Sequence, residues 1–282
     1  MSDLKKKRMS KGVIIRLLTG IIPGIFFLLI VIPIAWMIIS SFKQTNEIFT
    51  KIWALPKKWL FCNYVEAWNT GISKYFLNSL IVTVCTCALN VIACGMYAFA
   101  LVVFDFKGKK LFHALAVGGL MFSPIVSLIP LYQELQAMHL YNSLLALVLI
   151  YTAFQMPLCF MLTYNYFKDI DPAYVEAARI DGCTSLQILT HVFMPVSKPI
   201  IMTDIVLTAF YAWNEFTFAL IFINGETKKT VPIGLLAFQG EMHAEWSVLL
   251  AGLTISAIPI IVFFIFTQKY FIAGLGAGGV KG

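Results

Sequence analysis

Residues 17–39 read LLTGIIPGIFFLLIVIPIAWMII, 23 consecutive positions without Asp, Glu, Lys or Arg. A helix needs about 20 mostly apolar residues to cross the hydrocarbon of a bilayer, so this run suffices for one crossing. Lys5-Lys6-Lys7-Arg8 precedes it, a basic start that secretory signals share. A signal's apolar region is only about 7–15 residues long and ends on small residues for cleavage. The run is too long and lacks that ending, so it is expected to remain as a span. Working outward, 75–104, 111–133, 135–167 and 246–268 are equally free of those four residue types. Residues 135–142 are expected to form a surface turn at the head of the fourth run. A sixth run, 199–224, is as apolar but carries Asp204 and Glu215.

Composition agrees with a lipid environment. Of 282 residues, 60% are hydrophobic and 12% charged, with a mean hydropathy of +0.84. Soluble domains carry about 25% charged residues, which excludes an ordinary soluble enzyme, a disordered chain and a coiled coil. Backbone groups in lipid must bond within the segment or within a closed barrel. Barrel strands alternate in polarity over about 10 residues, whereas these runs are continuously apolar. The expected fold is therefore an all-α membrane protein of six transmembrane helices, one domain over residues 1–282.

Lys and Arg set its orientation, since cytoplasmic loops carry the excess. With the N-terminus inside, 14 of the 21 fall on inside segments. Five of the other seven (Lys43, Lys51, Lys57, Lys58, Lys74) share one long outer loop, where charge weighs less. The expected topology is N-in and C-in. The net charge of +7 and pI of about 9.0 then record orientation in a bilayer and give no reason to expect a nucleic-acid partner, because the basic residues form no single stripe. Cys85, Cys87, Cys94 and Cys159 lie in apolar runs, Cys183 in a polar loop and Cys62 alone outside, so neither a disulfide framework nor a zinc site is expected. His113 and His191 have no clustered ligands, and no metal is assigned.

One polar segment, 168–199, lies between spans four and five and is cytoplasmic by the charge count. Asp171 can cap a helix with Pro172 at its first position. The helix is expected over 173–180, and Asp181-Gly182 supplies a turn. Thr184-Ser185-Leu186-Gln187 matches a capping box, and the second helix runs until Pro195 breaks it. Ala177 and Ala178 permit close approach, Glu176 and Arg179 edge it with charge, and Tyr174, Leu186, Leu189 and Val192 are spaced as an apolar stripe. Two readings stand at this point: a docking hairpin, or an amphipathic hairpin resting on the membrane.

Glu176-Ala177-Ala178, three residues, Gly182, nine residues and Val192-x-Met194-Pro195 resemble the EAA loop of bacterial ABC importer permeases. That loop is written EAA, three residues, G, nine residues, I-x-L-P; Val for Ile and Met for Leu are the departures. Asn63-Tyr64 with Trp68, Asn78-Ser79, Phe106-Lys107-Gly108-Lys109-Lys110, Trp213-Asn214-Glu215-Phe216 and the end at Val280-Lys281-Gly282 extend the resemblance over nearly the whole chain. It narrows to carbohydrate importers of the maltose-transporter inner-membrane type. The resemblance implies a multi-pass protein of the bacterial plasma membrane, paired with a homologous second permease. It further implies two ATPase subunits below and an external solute-binding protein above. Glu176, Ala177, Ala178, Asp181, Gly182 and Pro195 would form the ATPase-coupling corner. The tail at Gly276, Gly279 and Lys281 would also reach toward the ATPases.

The residues suit that division of labour. No G-x-x-x-x-G-K-[ST] phosphate loop occurs, so ATP and Mg are expected on the partner subunits, with no cofactor on this chain. Gly274-x-Gly276-x-x-Gly279 matches a dinucleotide fingerprint in letters only, since three residues follow it and no strand–turn–helix unit can be built. Within the spans, a charge usually faces an interior or a water-filled path. Glu215 lies 16 residues past Pro199, about 24 Å along a helix. Glu215 and Asn214 either line a sugar path or brace neighbouring helices. Tyr151 and Gln155, on one helix face, either border a hydrated cavity with Ser123 and Ser127 or make an ordinary interhelical bond. Asp204, about five residues into its span, is expected near the cytoplasmic interface. The rival to an ATP-driven permease is a self-sufficient secondary transporter using Glu215 as its proton site; a membrane-embedded enzyme lacks a nucleophile–base or metal set.

Overall fold

The computed structural model describes residues 2–238 and 245–279, with side chains described over 20–236, 238 and 245–270. Among the described residues every element is helical. The chain divides into two compact units, residues 1–70 with 238–255 and residues 71–237 with 256–282.

In the first unit, α1 (Ser2–Ser40) carries the opening apolar run, and its Gly20–Ser40 portion is long and apolar enough to cross a membrane. The chain then folds back through α2 (Thr45–Thr50) and α3 (Cys62–Ala67). The Asn63 side-chain amide donates to the carbonyls of Ser41 and Lys43 at 2.7 and 3.1 Å. The buried Lys43 ammonium donates to the carbonyls of Lys51 and Ile52 at 3.1 and 3.0 Å. The Phe42 ring packs on Trp59, Phe61 and Tyr64. A stretch expected to be a long basic loop is therefore a knot with its own small core.

The second unit holds α4 (Ser73–Val103), α5 (Lys109–Gly118), α6 (Leu128–Ala137), α7 (Leu144–Lys168), α8 (Ala173–Ile180), α9 (Ser185–Ile188), α10 (Met194–Val196), α11 (Lys198–Asn214), α12 (Thr217–Phe222) and α13 (Val231–Gly234). The last helix, α14 (Trp246–Gly279), starts in the first unit and continues in this one. Two apolar clusters order the bundle. One gathers Val82 of α4, Leu147 and Tyr151 of α7, Ala212 of α11 and Phe218 of α12. The other gathers Phe99 and Leu101 of α4, Phe160 and Phe167 of α7, and Ala178, Ile188 and Phe193 of the polar segment. Each of α4 and α7 begins in the first cluster and ends in the second, so these two helices run parallel. α11 returns antiparallel and packs against both.

Two sequence expectations need correction. The run 111–133 is not one helix: α5 stops at Gly118, a single 3₁₀ turn covers Gly119–Met121, and α6 starts only at Leu128. Adjacent Gly118 and Gly119 each weaken a helix by about 1 kcal/mol relative to Ala, and the residue before Pro124 is driven out of the helical region. Gly119 is also required by contact, since a Cβ there would lie 2.6 Å from the ring Cγ of Pro157. The run 199–224 is interrupted as well, with Glu215 extended between α11 and α12. Four described helices are long and apolar enough to span, and the pair 185–196 and 198–214, bent by 83°, adds a fifth if the two count as one span.

Candidate functional site

The polar segment 168–199 folds as its punctuation predicts through the capping box, but Pro195 does not break the second helix: it lies inside a last helical turn, Met194–Val196, and the bend falls at Ser197. The Ala173 N–H donates to the Asp171 carboxylate at 2.9 Å and starts α8. Gly182 adopts φ 77°, the left-handed turn that ends α8. The Thr184 hydroxyl accepts from the Gln187 N–H, while the Gln187 side chain accepts from the Thr184 N–H, closing the capping box of α9. A π turn over Leu189–Phe193 and the short α10 with Pro195 lead to the bend at Ser197.

Helical periodicity divides α8 into two faces. Val175 and Ala178 turn inward and pack with Ile188, Leu189, Val192 and Phe193 on the ends of α4 and α7. Tyr174, Ala177, Ile180 and Asp181 point away, Ile180 being 86% exposed. Glu176, Arg179 and Gly182 are also exposed. The sequence reading is corrected here in two respects. Ala178 is a packing residue at 8% exposure, so it does not offer its surface to a partner. The expected stripe separates, with Leu189 and Val192 turned into the bundle while Tyr174 and Leu186 remain outside. Ile180 was not singled out from sequence. Its signal was available: it shares a helix face with Ala177 and Tyr174 at i+3 and i+6 spacing.

The residues expected along the spans are only partly brought together. The Tyr151 hydroxyl donates to Glu215 Oε2 at 2.7 Å. The same carboxylate accepts the N–H groups of Phe218 and Ala219 at 2.9 and 3.2 Å. Glu215 therefore satisfies two of the orphan donors at the start of α12, where negative charge is also favoured. Asn214 is exposed and donates to the Phe210 carbonyl of its own helix. Gln155 is buried one turn along α7 from Tyr151. Ser127 donates to the Ser123 carbonyl within its own segment.

Asp204 is not near a surface. It is 2% exposed and accepts a hydrogen bond from the Thr163 hydroxyl of α7. One turn on, Thr208 accepts from the Asn90 amide of α4 at 2.8 Å and lies 3.5 Å from Cys159 Sγ. These polar contacts, which the sequence reading did not single out, tie α4, α7 and α11 together alongside the second apolar cluster, of which Cys159 is a member. Among the described residues, no group of three or more His, Cys, Asp or Glu side chains could hold a metal. Gly276 and Gly279 fall in the last turns of α14, beyond the described side chains, and Lys281 lies outside the described residues.

Comparison with known proteins assigns the family. The model described as "Binding-protein-dependent transport system inner membrane component" matches residues 12–275. The probable ABC transporter permease protein YurM of Bacillus subtilis is 47% identical over 258 residues, covering 92% of this chain and 86% of its own length. The melibiose/raffinose/stachyose import permease MelC of the same organism is 31% identical, covering 95% and 96%. In fold, the chain is similar to one from the crystal structure of a bacterial ABC transporter involved in import of the acidic polysaccharide alginate. The TM-score is 0.81 at 24% identity, over 92% of this chain and 96% of that one. A second similar chain comes from an alginate transporter in complex with an alginate pentasaccharide-bound periplasmic protein, with a TM-score of 0.63 at 16% identity, over 90% and 92%. The chain therefore belongs to the family of binding-protein-dependent transport system inner membrane components, the permeases of ABC transporters.

Proposed function

We propose that this permease carries a carbohydrate, an oligosaccharide in preference to a monosaccharide, through the bacterial plasma membrane by alternating access. The names of relatives, among them a melibiose/raffinose/stachyose import permease, support the substrate class. The chain pairs with a homologous second permease. Two ATPase subunits dock beneath the pair, and an extracytoplasmic solute-binding protein delivers the sugar. ATP and Mg belong to the ATPases, and this chain binds no cofactor or metal of its own. The tail at Gly276, Gly279 and Lys281 is assigned to the same ATPase face.

The observation that carries the reading is the two-faced α8. Its inner face is packed into the bundle core, while Tyr174, Ala177, Ile180 and Asp181 form an exposed edge beside Glu176 and Gly182. A push on that edge is delivered to α4 and α7 through Ala178, Ile188 and Phe193, and to α11 through the bend at Ser197. Pro195 lies in the last turn before that bend. We read Tyr151, Gln155, Asn214 and Glu215 as flanking the solute path, with the Tyr151–Glu215 bond bracing its wall.

Ile180→Asp tests the coupling face. The variant should insert normally yet recover several-fold less ATPase subunit on affinity purification, and lose sugar uptake. Full assembly and uptake would remove the docking assignment. Uptake driven by a pH gradient without ATP in vesicles holding this chain alone would instead establish the secondary transporter.

A further inference from the structure

The fold-back after α1 leaves an unusual surface. Residues 49–61 read FTKIWALPKKWLF, with five bulky apolar or aromatic side chains largely exposed among Lys51, Lys57 and Lys58 and no acid. Trp53 is 76% exposed and Leu55 69%; Phe49, Trp59 and Phe61 are each more than half exposed. Exposed apolar surface on this scale marks an interaction site. It does not arise from a loose chain, because Lys43, Asn63 and Phe42 fix the segment from within.

Its position relative to α1 identifies the partner. The Trp36 indole N–H donates to the Ile52 carbonyl at 2.9 Å. Ile52, Trp53 and Ala54 line a groove with Ile32, Ala35, Trp36 and Ile39 of α1. Ile32 precedes the helix end at Ser40 by eight residues, about 12 Å along the axis, whereas the headgroup zone on one side is only about 5–8 Å thick. The segment therefore descends beside turns that lie in acyl chains, and its apolar side chains extend the lipid-facing strip of α1. Aromatic rings collect at this depth of a membrane, and neighbouring lysines complement lipid phosphates.

We propose that residues 49–61 are an interfacial anchor whose partner is the bilayer itself: Trp53, Leu55 and Trp59 enter the outer acyl layer, and Lys51, Lys57 and Lys58 contact anionic headgroups. This rests on α1 spanning the membrane and not on the identity of the solute.

The test uses the complete transporter, reconstituted in phosphatidylglycerol-containing vesicles, with Cys62 and Cys85 replaced by serine and alanine. Trp53→Cys and, in a separate variant, Leu55→Cys are labelled with bimane, and the signal of the unsubstituted parent is subtracted. Lipids bearing a nitroxide near the headgroup should quench both sites at least about twofold more than aqueous iodide. A label at Ile30→Cys, in mid-span, should respond to a deep nitroxide and checks that α1 crosses. Lys51, Lys57 and Lys58 changed together to Gln should lessen the shallow quenching difference between phosphatidylglycerol and phosphatidylcholine vesicles. Stronger quenching by iodide would place the segment in water and overturn the proposal. Protection from both quenchers would assign the surface to the second permease or the solute-binding protein and overturn it equally. Sugar uptake by the labelled variants is read separately, so loss of the importer reading would not be mistaken for loss of the anchor.

Discussion

At the scale of single residues, the spans are fixed by a few polar contacts whose removal has calculable consequences. Glu215 serves three donors at once, two backbone N–H groups of α12 and the Tyr151 hydroxyl. Glu215→Leu strands all three away from bulk water, where each unsatisfied group costs about 1–3 kcal/mol. It should therefore unfold at clearly lower temperature than wild type. Tyr151→Phe removes one donor and leaves no orphan on the tyrosine side, so its cost should be about 1 kcal/mol. Thermal unfolding of the purified transporter orders the two; equal midpoints would refute the brace. A raised half-saturation concentration for sugar in Tyr151→Phe, with stability unchanged, would instead make the pair a direct sugar contact. Asp204 and Thr163 form a second contact. Thr163→Val and Asp204→Leu should each destabilise the bundle, and the double variant should lose about 1 kcal/mol less than their sum. Strict additivity would mean the hydrogen bond contributes nothing.

At the scale of elements, the polar segment 168–199 was the most legible part of the chain because its signals are local. Asp171, Gly182 and the Thr184–Gln187 box act within three or four residues of themselves, so α8 appears over the expected residues. What each face of α8 touches was not legible, since Ala177 and Ala178 are identical letters with opposite fates. The broken run 111–133 was missed for a related reason. Absence of charge reports that a segment is in lipid but says nothing of whether its helix is continuous. The partner of Asp204 lay 41 positions away on α7 and had no local trace. Gly182 offers a test of the local logic. A Cβ at this position meets nothing within 4 Å, so only its φ of 77° resists substitution. Asn tolerates that left-handed geometry and Val does not, with a difference of about 1–2 kcal/mol. Gly182→Asn should therefore retain more ATPase in co-purification than Gly182→Val. The reverse order would show that the turn's backbone is not what docking requires.

For the whole molecule, helix direction within the second unit constrains how the chain threads a membrane more tightly than any count of apolar runs. Both α4 and α7 start in the cluster of Val82 and Tyr151 and end in the cluster of Phe99 and Phe167. Two parallel spans require the chain between them, residues 104–143, to return across the full thickness of the bilayer. Neither α5 nor α6 is long enough to do so alone, at about 15 Å each, so in the topology we propose they act together as one broken crossing. The irregular backbone at 122–127 is then tolerable only if protein or water satisfies its polar groups. On the topology we propose, the four long helices, the bent 185–214 pair and the broken α5–α6 pair would make six crossings with both termini inside, although no single described helix would occupy the third. The consequence is a sidedness that a five-crossing chain cannot reproduce. In a background with Cys62 and Cys85 replaced, a membrane-impermeant maleimide applied to intact cells should label His139→Cys. It should reach Lys107→Cys and Thr184→Cys only after permeabilisation. Protection of His139→Cys until the membrane is opened, together with labelling at Lys107→Cys in the same state, would reject the crossing and leave α5 and α6 as a re-entrant pair.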